Sequence, residues 1–177
     1  MEICQTPRLL IRLFQRSDAD YVLRQLNEPA WLVNIGDRGI RSLADAERFI
    51  ESRLMAHFEQ FGFGFYLLVD KSSNQPVGMC GLIQRDFLPT PDLGYALLES
   101  CLNQGFAYEA ATAILQHAER ELNIHELHAM TLPTNAASIR LLGKLRFHLE
   151  NASFATPDEK GLNLFVRRSC HSSQTPN

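Results

Sequence analysis

Apolar and polar positions follow two periods along this chain, and the switches between them mark its elements. Arg8 to Phe14 (RLLIRLF) is a short β-rich run that predicts a strand. Ser17-Asp-Ala-Asp20 then gives a capping-box spacing for a helix through about Leu26. Asn27 to Arg41 sustains no period and holds Pro29, two glycines and the single tryptophan, Trp31, so it is expected to be irregular. Ser42 to Asp45 repeats the capping signal, and Ala46, Phe49, Ile50, Leu54 and Phe58 follow at helical spacing, predicting an amphipathic helix that ends near Gly62.

The second half is read the same way. Phe63 to Asp70 and Pro76 to Gln84 predict two antiparallel strands around the hairpin loop Lys71 to Gln75. Gly78 and Gly81 in the second strand point to a bulge or to something packed close against the backbone. After the polar turn Asp86 to Pro91, Leu93 to Leu98 predicts another strand, and Gly105 to Leu122 is the clearest helix, with Phe106, Ala110, Ile114, Ala118 and Leu122 recurring every four residues. His125 to Leu132 alternates as a half-buried strand, Ala136 to Leu145 forms a last helix, and Phe147 to Phe154 and Gly161 to Arg168 are strands around the loop ATPDEK. The order is β-α-α-β-β-β-α-β-α-β-β.

Composition narrows the class. At 177 residues, 45% hydrophobic and 21% charged, the chain is expected to fold as one domain over residues 1–170, with 171–177 a disordered tail. A net charge of −3 argues against a general nucleic-acid binder. The four scattered cysteines show no C-x-x-C and no accompanying histidine spacing, so no metal is implied and reduced thiols in the cytoplasm are expected. The N-terminus lacks the form of a signal peptide, and no run reaches the roughly 18 apolar residues that span a bilayer.

Candidate chemistry concentrates where a strand becomes a helix, at Asp92 to Glu109 (DLGYALLESCLNQGFAYE). The first turn of a helix leaves N–H groups without partners at the positive end of the dipole, which suits an anion such as a phosphate. Gly105 and Ala107 keep the approach clear, while Phe106 can turn into the core.

Two stretches on suitable elements resemble the GNAT superfamily of acyl-CoA-dependent N-acetyltransferases. The family's Q/R-x-x-G-x-G/A motif is matched by Leu102-Asn103-Gln104-Gly105-Phe106-Ala107, preceded by a D/E-x-G-Y signature at Asp92-Leu-Gly-Tyr95. A second pattern, N-x-x-S-x-x-x-L-x-K-L-G-F, is matched by Asn135 to Phe147 and resembles the branch that acetylates ribosomal-protein N-termini. Three departures stand out: Leu102 in place of Gln or Arg, Arg146 in place of a glycine, and Leu142 where many relatives carry a tyrosine acid.

The resemblance implies an α/β (α+β) fold with a mixed, centrally splayed sheet of about seven strands and about four flanking helices. It implies acetyl-CoA as co-substrate, with backbone groups of Leu97 and Leu98 on the pantetheine arm and thioester carbonyl, and the amides from Asn103 through Gln104, Gly105 and Phe106 to Ala107 on the pyrophosphate. Asn135 is expected to bond the pantetheine arm and Ser138 to hydrogen-bond and protonate the sulfur, with helix capping as the alternative for both. His128, Glu99 and Asp86 are candidates for the base, Asp86 facing the acceptor, and a water chain is a further option. Trp31, Phe63, Phe65 and Phe87 are expected to wall the acceptor, or else to pack in the core, and Arg38 and Arg41 either attract an acidic partner or are ordinary surface charges. The acceptor is a protein N-terminal amine, a small amine such as a polyamine, amino acid or antibiotic, or absent altogether in a regulatory acyl-CoA-binding module; the oligomeric state, monomer or homodimer, is open.

Overall fold

The computed structural model describes residues 1–157 and 161–169; the tail expected to be disordered, Cys170 and the end of the ATPDEK loop lie outside the described residues. Eight strands form one sheet: β1 (Glu2–Gln5), β2 (Leu9–Arg12), β3 (Phe65–Asp70), β4 (Gln75–Ile83), β5 (Asp92–Leu97), β6 (Glu126–Thr131), β7 (His148–Phe154) and β8 (Leu162–Arg168). Their order is β1-β2-β3-β4-β5-β6-β8-β7, antiparallel everywhere except between β5 and β6. The helices are α1 (Ala19–Gln25), α2 (Pro29–Asn34), α3 (Leu43–Phe49), α4 (Ala56–Phe61), α5 (Phe106–Arg120) and α6 (Ala136–Lys144). A π-turn at Ile50–Met55 joins α3 and α4 into one rod, so the helix predicted to end near Gly62 is continuous.

Strand alternation builds two cores. Tyr66, Leu68, Cys80, Leu82, Leu93 and Leu127 face α5 and α6, while Leu67, Val69, Met79 and Leu98 face α1, α2 and α3. Gly81 is required at its position, because a Cβ there would stand 2.0 Å from the carbonyl oxygen of Gly64. The glycine signal in this strand therefore marks a close backbone approach.

Three local expectations change. Strand β1 goes beyond the seven predicted, since four residues of mixed polarity carry little signal until β2 pairs with them. The segment expected to be irregular contains α2, whose Pro29 stands in the first turn, where a missing N–H costs nothing, and whose Trp31 is buried. The first capping box forms earlier than Ser17: Asp18 accepts from the Gln15 amide at 2.7 Å and from the Arg12 guanidinium at 2.7 and 2.8 Å. Arg12 on the neighbouring strand selects which acid caps.

Helix α6 ends in a Schellman turn. The Phe147 amide donates to Leu142 (3.0 Å) and the Arg146 amide to Gly143 (3.1 Å), which places exposed Arg146 at φ 64°. The family's glycine is the residue this backbone favours. Arg146 pays for that turn with a left-handed conformation while Phe147 and Leu142 stay in the core.

The start of α5 is tied to the β1–β2 turn by Glu109. Its carboxylate accepts from Thr6 Oγ1 (2.5 Å), from the Arg8 amide (3.0 Å) and from Arg8 Nε (2.7 Å), and Arg8 Nη2 lies at 2.6 Å. The same guanidinium stacks 4.5 Å over the Phe106 ring and donates to the Gln104 carbonyl at 2.8 Å. Burial raises the Glu109 carboxyl, but the hydrogen bonds from Thr6 and Arg8 outweigh it and hold the group below its ordinary value.

Two outcomes follow. Arg146→Gly relieves the left-handed strain and raises unfolding stability by about 0.5–1 kcal/mol after the extra entropy of an unfolded glycine, read by urea denaturation. A carboxylate held low stabilises the fold above its unfolded-state pKa and loses that contribution as pH falls through the folded value. Glu109→Gln therefore destabilises by about 1 kcal/mol at pH 7, and the gap between wild type and variant closes as pH drops below the ordinary carboxylate range.

Candidate functional site

Strands β5 and β6 meet at one pair, Asp92 opposite His128, with the His128 amide donating to the Pro91 carbonyl at 3.0 Å. Beyond that point they diverge. Each is otherwise satisfied on its outer edge, β5 by six paired positions with β4 and β6 by six with β8. The sheet is thus a five-stranded and a three-stranded half joined at a vertex.

Ladder geometry identifies which groups face the gap. The Leu98 amide donates to the Val77 carbonyl at 3.0 Å, so Leu98, Ala96 and Gly94 point their backbones to β4. Alternation turns those of Tyr95 and Leu97 toward the opening. The Leu97 carbonyl is held by buried Gln25, whose Nε2 donates at 3.3 Å, leaving the Leu97 amide directed into the gap. Of the two leucines singled out in the sequence, Leu97 therefore faces the opening and Leu98 packs into the sheet, with Tyr95 in the second place.

At the wide end stands the N-terminus of α5. Gly105 is its cap residue at φ 83°, with Asn103 also left-handed at φ 61°, and no side chain among the described residues caps the helix. The first backbone bond within the helix is from Glu109 to Gly105 at 3.1 Å, so the amides from Phe106 to Tyr108 are left to other partners. Asn103, Gln104 and Gly105 are exposed, Phe106 is buried, and Gln104 turns its side chain back to the Ser100 carbonyl at 3.1 Å. This loop presents amides to an anion at a dipole's positive end.

On the α6 side, Asn135 caps its helix by accepting from the Ser138 amide at 3.1 Å, as local sequence rules expect. Ser138 Oγ lies 2.8 Å from Tyr95 Oη, a bridge from β5 across to the element that follows β6. Burial pushes the Tyr95 phenol up to about 12, with the Ser138 hydrogen bond acting against it. Tyr95 was visible only as part of a motif, because its partner is 43 residues away. Leu142, where relatives carry a tyrosine, is 1% exposed and belongs to the core.

At the vertex, alternation places Asp92 and His128 on the sheet face of α1 and α2, opposite to Tyr95. His128 is 3% exposed, with Nδ1 at 2.7 Å from Thr90 Oγ1 and Nε2 at 3.3 Å from Glu150. Both ring nitrogens are engaged, and Glu150 is the more exposed end of that chain of contacts. Burial raises the Asp92 carboxyl against the opposing charge of Arg85, at 3.0 Å.

The remaining candidates spread out. Glu99 is exposed in the turn Glu99–Cys101 at the other end of β5 from the vertex, its amide donating to Glu28 at 2.8 Å. Asp86 is exposed, and Phe87 lies 6.4 Å from the Phe154 ring. Phe65 packs against Gly94, where a Cβ would stand 2.6 Å from its ring. Phe63 belongs to the α5-side core, and Trp31 to the α1-side core at 6% exposure, its indole N–H without a partner among the described residues. Arg41 pairs with Asp37 at 2.5 Å.

Comparison with known proteins agrees with this geometry. N-acetyltransferase p20 of Bacillus licheniformis, itself uncharacterized, is 26% identical over 151 residues, 85% of this chain and 84% of that one. The ribosomal protein uS5-alanine N-acetyltransferase of Escherichia coli is 28% identical over 100 residues, 55% of this chain and 52% of that one. The fold superposes on RimL, a ribosomal L7/L12 α-N-protein acetyltransferase in complex with coenzyme A, at TM-score 0.79 and 18% identity, with 95% and 98% of the chains covered. The profile of the acetyltransferase (GNAT) domain matches residues 8–148. The chain therefore belongs to the GNAT family and is an acetyl-CoA-dependent acetyltransferase.

Proposed function

We propose that the chain transfers acetyl from acetyl-CoA directly to the N-terminal α-amine of a protein, a ribosomal protein foremost, in the cytoplasm. The observation that carries the donor half is the uncapped start of α5 opening onto the gap between β5 and β6. The amides of the α5 start bind the pyrophosphate, and the amides of Tyr95 and Leu97 extend along the pantetheine arm in place of the missing strand partner. Asn135 holds the turn that presents Ser138, and Ser138 hydrogen-bonds the sulfur.

The acceptor half rests on chemistry and on likeness to ribosomal-protein acetyltransferases. An α-amine has a pKa of about 7.7–8.0 and is partly neutral near pH 7, whereas a lysine amine at about 10.4 needs a strong base. The vertex offers no free imidazole, since His128 is buried and doubly bonded. Such a site suits an amine that is already partly deprotonated, with Glu150 or water receiving its proton. His128 then positions Glu150 and is not itself the base.

A thiol-release assay with acetyl-CoA tests this reading against a panel of peptides and small amines. Peptides starting with Ala or Ser are expected to be acetylated, and efficient turnover of polyamines or amino acids with those peptides ignored would replace the acceptor assignment. Gly105→Asp, whose short polar side chain can enter the left-handed region but sets a negative charge at the amides, is expected to weaken acetyl-CoA binding at least about tenfold, roughly 1.4 kcal/mol, with the protein still folding cooperatively at a somewhat lower unfolding midpoint. Unchanged affinity would move the pyrophosphate elsewhere.

A further inference from the structure

The bridge between Tyr95 and Ser138 ties the two halves of the sheet across the gap, and neither local sequence nor helix packing requires it. Tyr95 Oη lies 2.8 Å from Ser138 Oγ and 3.4 Å from the Ser138 carbonyl oxygen. The serine amide is bonded to Asn135. A serine hydroxyl has one proton to give and two lone pairs to accept with. The phenol donates its one proton toward Ser138, shared between the carbonyl oxygen at 3.4 Å and the nearer Oγ at 2.8 Å, so Oγ accepts and the serine proton is left for a third partner.

We propose that Tyr95 is a positioning residue that orients the Ser138 hydroxyl, so that the serine donates a hydrogen bond to the departing sulfur and keeps its proton. The inference rests on the acetyl-transfer reading and refines it. In the step itself the amine nitrogen forms the new C–N bond to the carbonyl carbon, the C–S bond breaks with its electron pair passing to sulfur, and the amine proton leaves to Glu150 or water. No proton has to cross from the Tyr95–Ser138 pair. With the phenol at about 12 and an ordinary thiol near 8.5, a thiolate does not draw the tyrosine proton, so the pair acts through hydrogen-bond stabilisation of developing charge. Leu142, apolar and buried, provides no alternative donor from α6.

The test is a double-mutant cycle of Tyr95→Phe and Ser138→Ala in the full chain, read by acetyl-CoA-dependent thiol release. Tyr95→Phe keeps the ring and removes only the hydroxyl. It is expected to lower kcat about tenfold with the KM for acetyl-CoA within about twofold, and the double variant to be no slower than Ser138→Ala alone. Losses that multiply, or a Tyr95→Phe enzyme as fast as wild type with an unchanged unfolding midpoint, would overturn the positioning role. Wild type without acceptor-dependent thiol release would instead overturn the acetyl-transfer reading on which the role depends.

Discussion

The single backbone pairing of Asp92 with His128 is the constraint on which the rest of the structure depends. Backbone amides that leave a sheet need other partners, and here the sheet is closed on both sides of the gap and open within it. The pairing fixes how far the two halves approach. The chain then uses the space beyond it: Tyr95 and Leu97 aim amides inward, Gln25 holds the Leu97 carbonyl from one face, and Tyr95 reaches Ser138 on the other.

The cradle at the wide end depends on a different set of contacts. A glycine cap leaves the α5 amides free, but a free loop would also wander. Arg8 and Glu109 restrain it, since one guanidinium touches the Gln104 carbonyl, the Phe106 ring and the Glu109 carboxylate. The acid in the first turn of α5 thus does more than answer the helix dipole. It couples the N-terminal hairpin to the loop at the start of α5.

Polar groups divide across the sheet by strand alternation. Asp92, His128 and their partners Arg85, Thr90 and Glu150 gather on the face of α1 and α2, whereas Tyr95 and Ser138 gather on that of α5 and α6. In the proposed reaction, an acetyl group in the gap would meet its acceptor from one side and the group that stabilises its leaving sulfur from the other. On the proposed mechanism, separation of this kind would let the proton of the amine and the charge on sulfur be handled by different residues.

The sequence by itself determined the elements with strong periods, the α5 and α6 helices and strands β2 to β8, and the glycine junction at Gly105, because those signals are local. Arg146 stood out only as a departure from a glycine, and the left-handed φ of 64° that the Schellman turn requires there came from the structure. What it left open were features whose partners are distant. β1 needs β2, α2 needs a core for Trp31, and Asp18 rather than Ser17 anchors the first cap because Arg12 reaches it. Only the tertiary structure decided that Leu97 faces the gap while Leu98 does not, that His128 is enclosed, and that Tyr95 meets Ser138. Each is a matter of ladder phase or of contact between residues far apart in the chain, and no local pattern carries that information.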